Sequence, residues 1–267
     1  MDAEIATLLA AVAGAGLVAG FLAGLLGVGG GLIFVPALLA ILAAQGVPAD
    51  LAMHAAVGSS LAAIILASAS SVWAHARRGS VEWPVWRALL PGLVIGALFG
   101  AAVAAALSGD ALRRVFGVFL FAVAFQMAGF IRTSPQRALP GRVGLAAAGT
   151  GVGLVAALVG IGGGVLTAPF LVWCNRPMIN AVGTAAAAGM PIAIAGAAGF
   201  AVAGIGSVGL PPGSTGFVVW PVALTLGAIA MLTAPLGVRA AHRVPALALR
   251  RVFAVALVAI GVRLLVG

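Results

Sequence analysis

Charged residues in this chain are confined to short intervals, and between them run long stretches in which nearly every position is apolar. The first such stretch covers about 6–44 and is followed by about 52–74, 86–107 and 112–131. After an arginine-bearing interval come about 144–173, 179–204, 217–237 and 248–266. A helix needs about 20 apolar residues to cross a bilayer, so the pattern predicts an all-α polytopic membrane protein. One stretch breaks the rule. "GLLGVGGGLIFVP", Gly24 to Pro36, holds five glycines and a proline among apolar neighbours. A straight helix over its 39 residues would be about 58 Å long, against a hydrocarbon layer of about 30 Å. The segment must break, and the glycine cluster is where it can.

The same cluster occurs twice. "GFLAGLLGVGGGLIFVPAL" (Gly20 to Leu38) aligns with "GLVAALVGIGGGVLTAPFL" (Gly153 to Leu171) at nine identical positions out of nineteen. Gly27, Gly29, Gly30, Gly31 and Pro36 match Gly160, Gly162, Gly163, Gly164 and Pro169. "AVGSS" at Ala56–Ser60 parallels "AVGTA" at Ala181–Ala185, and "ALRRVF" recurs unchanged at Ala111–Phe116 and Ala248–Phe253. Three matches in the same order predict two homologous repeats, 1–137 and 138–267. Each would hold a glycine-broken first segment, re-entrant or paired, and three transmembrane helices.

Arginine placement bears on how the first segments break. If each goes in and returns, Arg77, Arg78, Arg87, Arg132, Arg137, Arg142, Arg176, Arg239, Arg243, Arg250 and Arg251 share one side, and only Arg113, Arg114 and Arg263 face the other. With a single crossing each, the split is seven against seven. The positive-inside rule selects the first arrangement. Each repeat then crosses an odd number of times, so the two are inverted and both termini are periplasmic in a bacterial inner membrane. Inverted repeats with broken helices are the architecture of secondary transporters.

Composition narrows the chemistry. The chain is 63% hydrophobic and 7% charged, with a net charge of +9. All 14 basic residues are arginine, which excludes a P-loop lysine and lysine Schiff-base chemistry. The arginines lie between spans or near their ends, where topology accounts for them without nucleic acid. Cys174 is the only cysteine, so neither an internal disulfide nor a multi-cysteine metal site can form. No basic region precedes the first apolar stretch, and a cleaved signal peptide is not predicted. The acids Asp2, Glu4, Asp50, Glu82 and Asp110 all fall outside span centres, unlike the midplane carboxylates of proton pumps and cation antiporters. No catalytic set, metal site or cofactor is predicted, and the chain does not read as an enzyme.

Broken helices at membrane depth must be buried in protein or line a watery cavity, and the free N–H groups at the start of a half-helix favour an anion. Candidate binding residues are therefore the two glycine clusters with Pro36 and Pro169, together with Gly58, Ser59, Ser60, Gly183 and Thr184 early in the following helices. Asn180 is either an N-cap or a ligand group. Close helix packing is the plain alternative for the glycines, and back-bonding for the hydroxyls.

These residues resemble the TauE/SafE sulfite exporter family, part of the toluene sulfonate uptake permease group. The paired "GxGGG…P" segments, each followed by "AVG[ST]", carry the resemblance over about 8–265. It implies a bacterial inner-membrane carrier of sulfite, thiosulfate, a sulfonate or a related small anion. By position, the motif residues are Gly27, Gly29, Gly30, Gly31, Pro36, Gly58, Ser59 and Ser60, with Gly160, Gly162, Gly163, Gly164, Pro169, Gly183 and Thr184. Where the family pattern has a second "TS", this chain has Thr184–Ala185, one hydroxyl fewer. The expected function is a permease for a small sulfur-containing anion, working by alternating access, with the lipid bilayer as its other partner. A carrier of another small organic anion such as a carboxylate, and a channel-like or scaffold membrane protein, are the alternatives. The sequence leaves homo-oligomerisation open.

Overall fold

In the computed structural model, which describes residues 12–14, 16–21, 31–128, 137–241 and 246–266, the apolar stretches are α-helices. Residues 12–14 and 16–21 are helical. They are followed by α1 (Gly31–Ala44), α2 (Ala49–Arg77), α3 (Trp83–Ala106) and α4 (Gly109–Met127). Then come α5 (Arg142–Leu158), α6 (Gly164–Trp173) and α7 (Met178–Ala203). A short hairpin of β1 (Ser214–Thr215) and β2 (Val218–Val219) precedes α8 (Trp220–Ala241) and α9 (Ala246–Val266). The span predicted from 217 thus starts at Trp220, because Val218 and Val219 pair with Thr215 and Ser214 as a hairpin.

Length sorts the helices. The 29, 24 and 26 residues of α2, α3 and α7 measure about 44, 36 and 39 Å, enough to cross the hydrocarbon layer. The 10 residues of α6 give only about 15 Å, too short to cross alone, and the 14 described residues of α1 give about 21 Å. On the outer faces Ile95, Phe99, Val118, Val202, Leu232 and Val255 are more than half exposed. Large apolar side chains presented outward from several helices are suited to lipid, and the protein is a multi-pass membrane protein.

The packing comes in exchanged pairs. α3 lies along α5, where a methyl group on Gly92, Gly96 or Gly100 would overlap the carbonyl oxygens of Ala146, Thr150 and Leu154. Gly149 of α5 answers, its added Cβ falling 2.5 Å from the Leu89 oxygen. Small residues spaced by four let helix backbones approach closely in a membrane. The matched contact joins the helical residues 16–21 to α8: a Cβ on Gly20 would sit 2.5 Å from the Ala230 Cα, and one on Gly16 3.0 Å from the Ile229 Cβ. Likewise α1 packs on α2 as α6 does on α7, and α2 on α8 as α3 does on α7. The pairs α2·α7 and α4·α9 are their own counterparts.

Loops gather at the two ends of α2. Beside its start lie Asp50, 2.7 Å from a Cβ on Gly109, and Pro48, 3.2 Å from one on Gly209. His54 is 5% exposed there; its ring nitrogens lie 3.0 to 3.1 Å from the carbonyl oxygens of Asp50, Ala104 and Leu107. Near the end of α2 the Arg77 guanidinium lies over Trp73 at 4.1 Å and Arg137 over Trp173 at 4.9 Å. Glu82 pairs there with Arg176 through Nε–H donated to Oε1 at 3.0 Å and Nη2–H donated to Oε2.

Candidate functional site

The second glycine cluster is the break between α5 and α6. α5 stops at Leu158 because the chain closes on itself: the Gly160 N–H donates to the Ala157 oxygen at 3.2 Å and that of Ile161 to the Ala156 oxygen at 2.8 Å. This closure requires a left-handed residue at its corner, and Gly160 has φ +72°. Three residues on, Gly163 repeats the left-handed conformation at φ +70° as the N-cap of α6, with no side-chain cap bond. Its carbonyl accepts from Leu166 and Thr167 at 3.1 and 2.8 Å. The N–H groups of Gly162, Gly163, Gly164 and Val165 meet no acceptor among the described residues. Ile161, Gly162, Gly163 and Val165 are buried. Buried unpaired amides are rare in proteins, and those at a helix start are suited to an anion.

Elements from across the molecule close around this break. Gly31, the first residue of α1, abuts it so tightly that an added Cβ would lie 2.7 Å from the Ile161 Cα and 2.9 Å from the Gly160 oxygen. The fully buried Ser60 of α2 donates its hydroxyl to that same oxygen at 2.8 Å. Gly189 of α7 lets the Gly162 oxygen approach to 2.5 Å of where its Cβ would be. Pro36 and Pro169 fall inside α1 and α6, as expected. The structure therefore joins the end of the first cluster to the second. Gly27, Gly29 and Gly30 lie outside the described residues.

Gly58, Ser59, Gly183 and Thr184 each meet a loop, and do so symmetrically. Ser59 accepts the Val219 N–H at 2.9 Å and Thr184 accepts the Glu82 N–H at 2.9 Å. One residue earlier, a Cβ on Gly58 would stand 2.6 Å from the Phe217 oxygen, and one on Gly183 would strike the Ser80 carbonyl. Each glycine admits a strand of loop, and the next hydroxyl fastens it. Both loops lead into a helix that opens with Trp-Pro-Val, Trp83–Val85 and Trp220–Val222. That repeat is itself a signal legible in the sequence. Ser59→Ala is expected to leave the Val219 amide buried without an acceptor, costing about 1–3 kcal/mol. Thr184→Val should cost a similar amount at Glu82. Melting in detergent measures both, and unchanged midpoints would show that neither hydroxyl fastens its loop.

Other expectations resolve individually. Asn180 is not the N-cap of α7; Pro177 is, and Asn180 is the third helical residue, with its N–H donated to the Pro177 oxygen at 2.9 Å. It is half-buried, one turn before Thr184. Glu82, whose side chain is 12% exposed, is held by Arg176, and its carboxylate, by hydrogen bonding, raises the Arg176 pKa above the ordinary value. The position matched to Glu82 by the Trp-Pro-Val repeat is Val219, so the ion pair has no exchanged counterpart at that position. Among the described residues no three His, Cys, Asp or Glu side chains gather as a metal site would need. An apolar pocket of about 370 Å³ between α2, α3 and α7, lined by Trp83, Trp86 and Met190 among others, includes none of the glycine-break residues.

Known proteins give this arrangement a context. The family described as "Sulfite exporter TauE/SafE" matches residues 12–264. A probable membrane transporter protein of Haemophilus influenzae is 30% identical over 93% of this chain and 95% of its own length. One from Methanocaldococcus jannaschii is 26% identical over 90% of this chain and 88% of its own. One from Bacillus subtilis, YunE, is 29% identical over 58% of this chain and 63% of its own. No solved structure matches significantly.

Proposed function

Because the chain belongs to the sulfite exporter TauE/SafE family of membrane transporters, we propose that it is a secondary carrier of a small anion in a bacterial inner membrane. The substrate class we favour is a sulfur oxyanion such as sulfite, thiosulfate or an organosulfonate. The observation that carries this reading is the row of amides from Gly162 to Val165 at the start of α6, without acceptors among the described residues and buried at Gly162, Gly163 and Val165. Ser60 holds the turn through the Gly160 carbonyl, and Gly31 of α1 packs against the same carbonyl. The glycines keep side chains out of the space an oxyanion would use.

Alternating access fits the exchanged packing. We read residues 1–137 and 138–267 as inverted repeats meeting through α2 and α7, each clasping a loop of the other through Ser59 or Thr184. Grouping of the 45–50, 107–109 and 204–219 loops at one end of α2 supports the sidedness drawn from the arginines. Cysteine labelling of intact cells on a Cys174→Ala background tests it. Asp2→Cys is expected to label from outside and Ala138→Cys only after permeabilisation; the reverse pattern would refute inverted repeats with periplasmic termini. Binding is tested by titrating the purified protein with sulfite, thiosulfate, sulfoacetate, taurine and lactate. A sulfur oxyanion should raise the melting temperature, since a ligand of the folded state stabilises it. A rise with lactate alone would move the assignment to carboxylates.

A further inference from the structure

Thr167 is fully buried, and its hydroxyl has no hydrogen-bond partner. Threonines in helices ordinarily return the hydroxyl to a carbonyl one turn back, and others in this protein do so. Thr150 donates to the Ala146 oxygen at 3.1 Å, Thr225 to that of Pro221 at 2.7 Å and Thr233 to that of Ile229 at 3.0 Å. Thr167 has the Gly163 carbonyl in the corresponding place, yet that oxygen is shared by the amides of Leu166 and Thr167 itself. The side chain instead leans toward the start of α6, as helical side chains do. Its Oγ1 lies 3.8 Å from where a Gly163 Cβ would be. An unmatched hydroxyl thus lies close to Gly163, within the run of residues whose amides lack acceptors among the described residues.

We propose that Thr167 is a ligand-binding residue, its hydroxyl donating to the oxyanion that the α6 amides hold. This inference rests on the anion reading above and adds to it a residue and an asymmetry. In the aligned repeat the matched position is Phe34, fully buried and apolar. At this matched position a hydroxyl donor is therefore supplied by the second half and not by the first, and there the two halves contribute unequally to binding. The chemistry suits an oxyanion of sulfur or of carbon, because either presents an acceptor oxygen to the hydroxyl and the amides.

Thr167→Val separates binding from support. Valine keeps the shape and removes a buried hydroxyl that bonds to nothing, so the ligand-free protein should melt at the same temperature or higher. Titration calorimetry of the purified full chain with sodium sulfite, thiosulfate and lactate should show affinity for whichever anion the wild type binds falling roughly tenfold or more. Thr167→Ser, which restores a donor, should bind within about threefold of wild type. The sulfite, thiosulfate and lactate arms assign the oxyanion to sulfur or to carbon. A Thr167→Val protein that binds as tightly as wild type would overturn the assignment alone, whatever its melting temperature. A wild type that binds none of the three would overturn the anion reading and the assignment with it.

Discussion

Gly96→Ala is expected to destabilise the folded protein by about 3 kcal/mol or more, near the upper end for overpacking a close contact. The added methyl would overlap the Thr150 carbonyl oxygen, which is backbone in the middle of α5 and cannot swing aside. Relief requires α3 and α5 to separate, and with them the contacts of Gly92, Gly100 and Gly149 along the same seam. Gly151→Ala is the internal control. It lies on the exposed side of α5, with nothing within 4 Å of its Cβ position, and should gain up to about 1 kcal/mol from helix propensity. Thermal melting of the two variants in one detergent checks the pair. Equal midpoints would mean that α3 and α5 do not pack as described.

Gly163→Ala is expected to lose both stability and ligand. From the sequence alone, an alanine here reads as a probe that blocks the anion and leaves melting unchanged. The backbone overturns the second half of that expectation. At φ +70° an L-residue costs about 1–2 kcal/mol, and the new methyl meets the Ile192 Cδ1. The anion affinity of the folded fraction should also fall roughly tenfold or more, about 1.4 kcal/mol, because the methyl is added at the N-cap of α6, within the amide row. Denaturation midpoints read the first effect and calorimetry of the folded protein the second. Normal affinity in a destabilised Gly163→Ala protein would make the glycine a conformational residue only.

Much of this was legible before the structure. The spans, the doubled glycine clusters and the break at Gly160 to Gly163 follow from hydropathy, self-similarity and the thickness of a bilayer. What the chain concealed was who meets whom. Gly58 and Ser59 look like ligand groups because a glycine and a hydroxyl early in a buried helix fit that role. In the structure they also receive a loop from the other end of the sequence, and nothing local encodes such a partner. The glycines of α3 carry no polar signal, but their spacing of four marks a seam whose partner, α5, only the structure identifies. Thr167 sat inside the aligned repeat, opposite Phe34, as the polar residue one turn after the glycine triplet. Its meaning lay in the absence of a hydrogen bond, which only coordinates reveal.

The most direct test of the carrier reading is counterflow in proteoliposomes holding the purified protein and loaded with unlabelled sulfite or thiosulfate. Alternating access predicts saturable uptake of the same radiolabelled anion, accelerated by the unlabelled anion inside and reduced by Thr167→Val. Uptake that rises linearly with concentration and ignores the internal anion, or no uptake beyond protein-free vesicles for either anion, would contradict it.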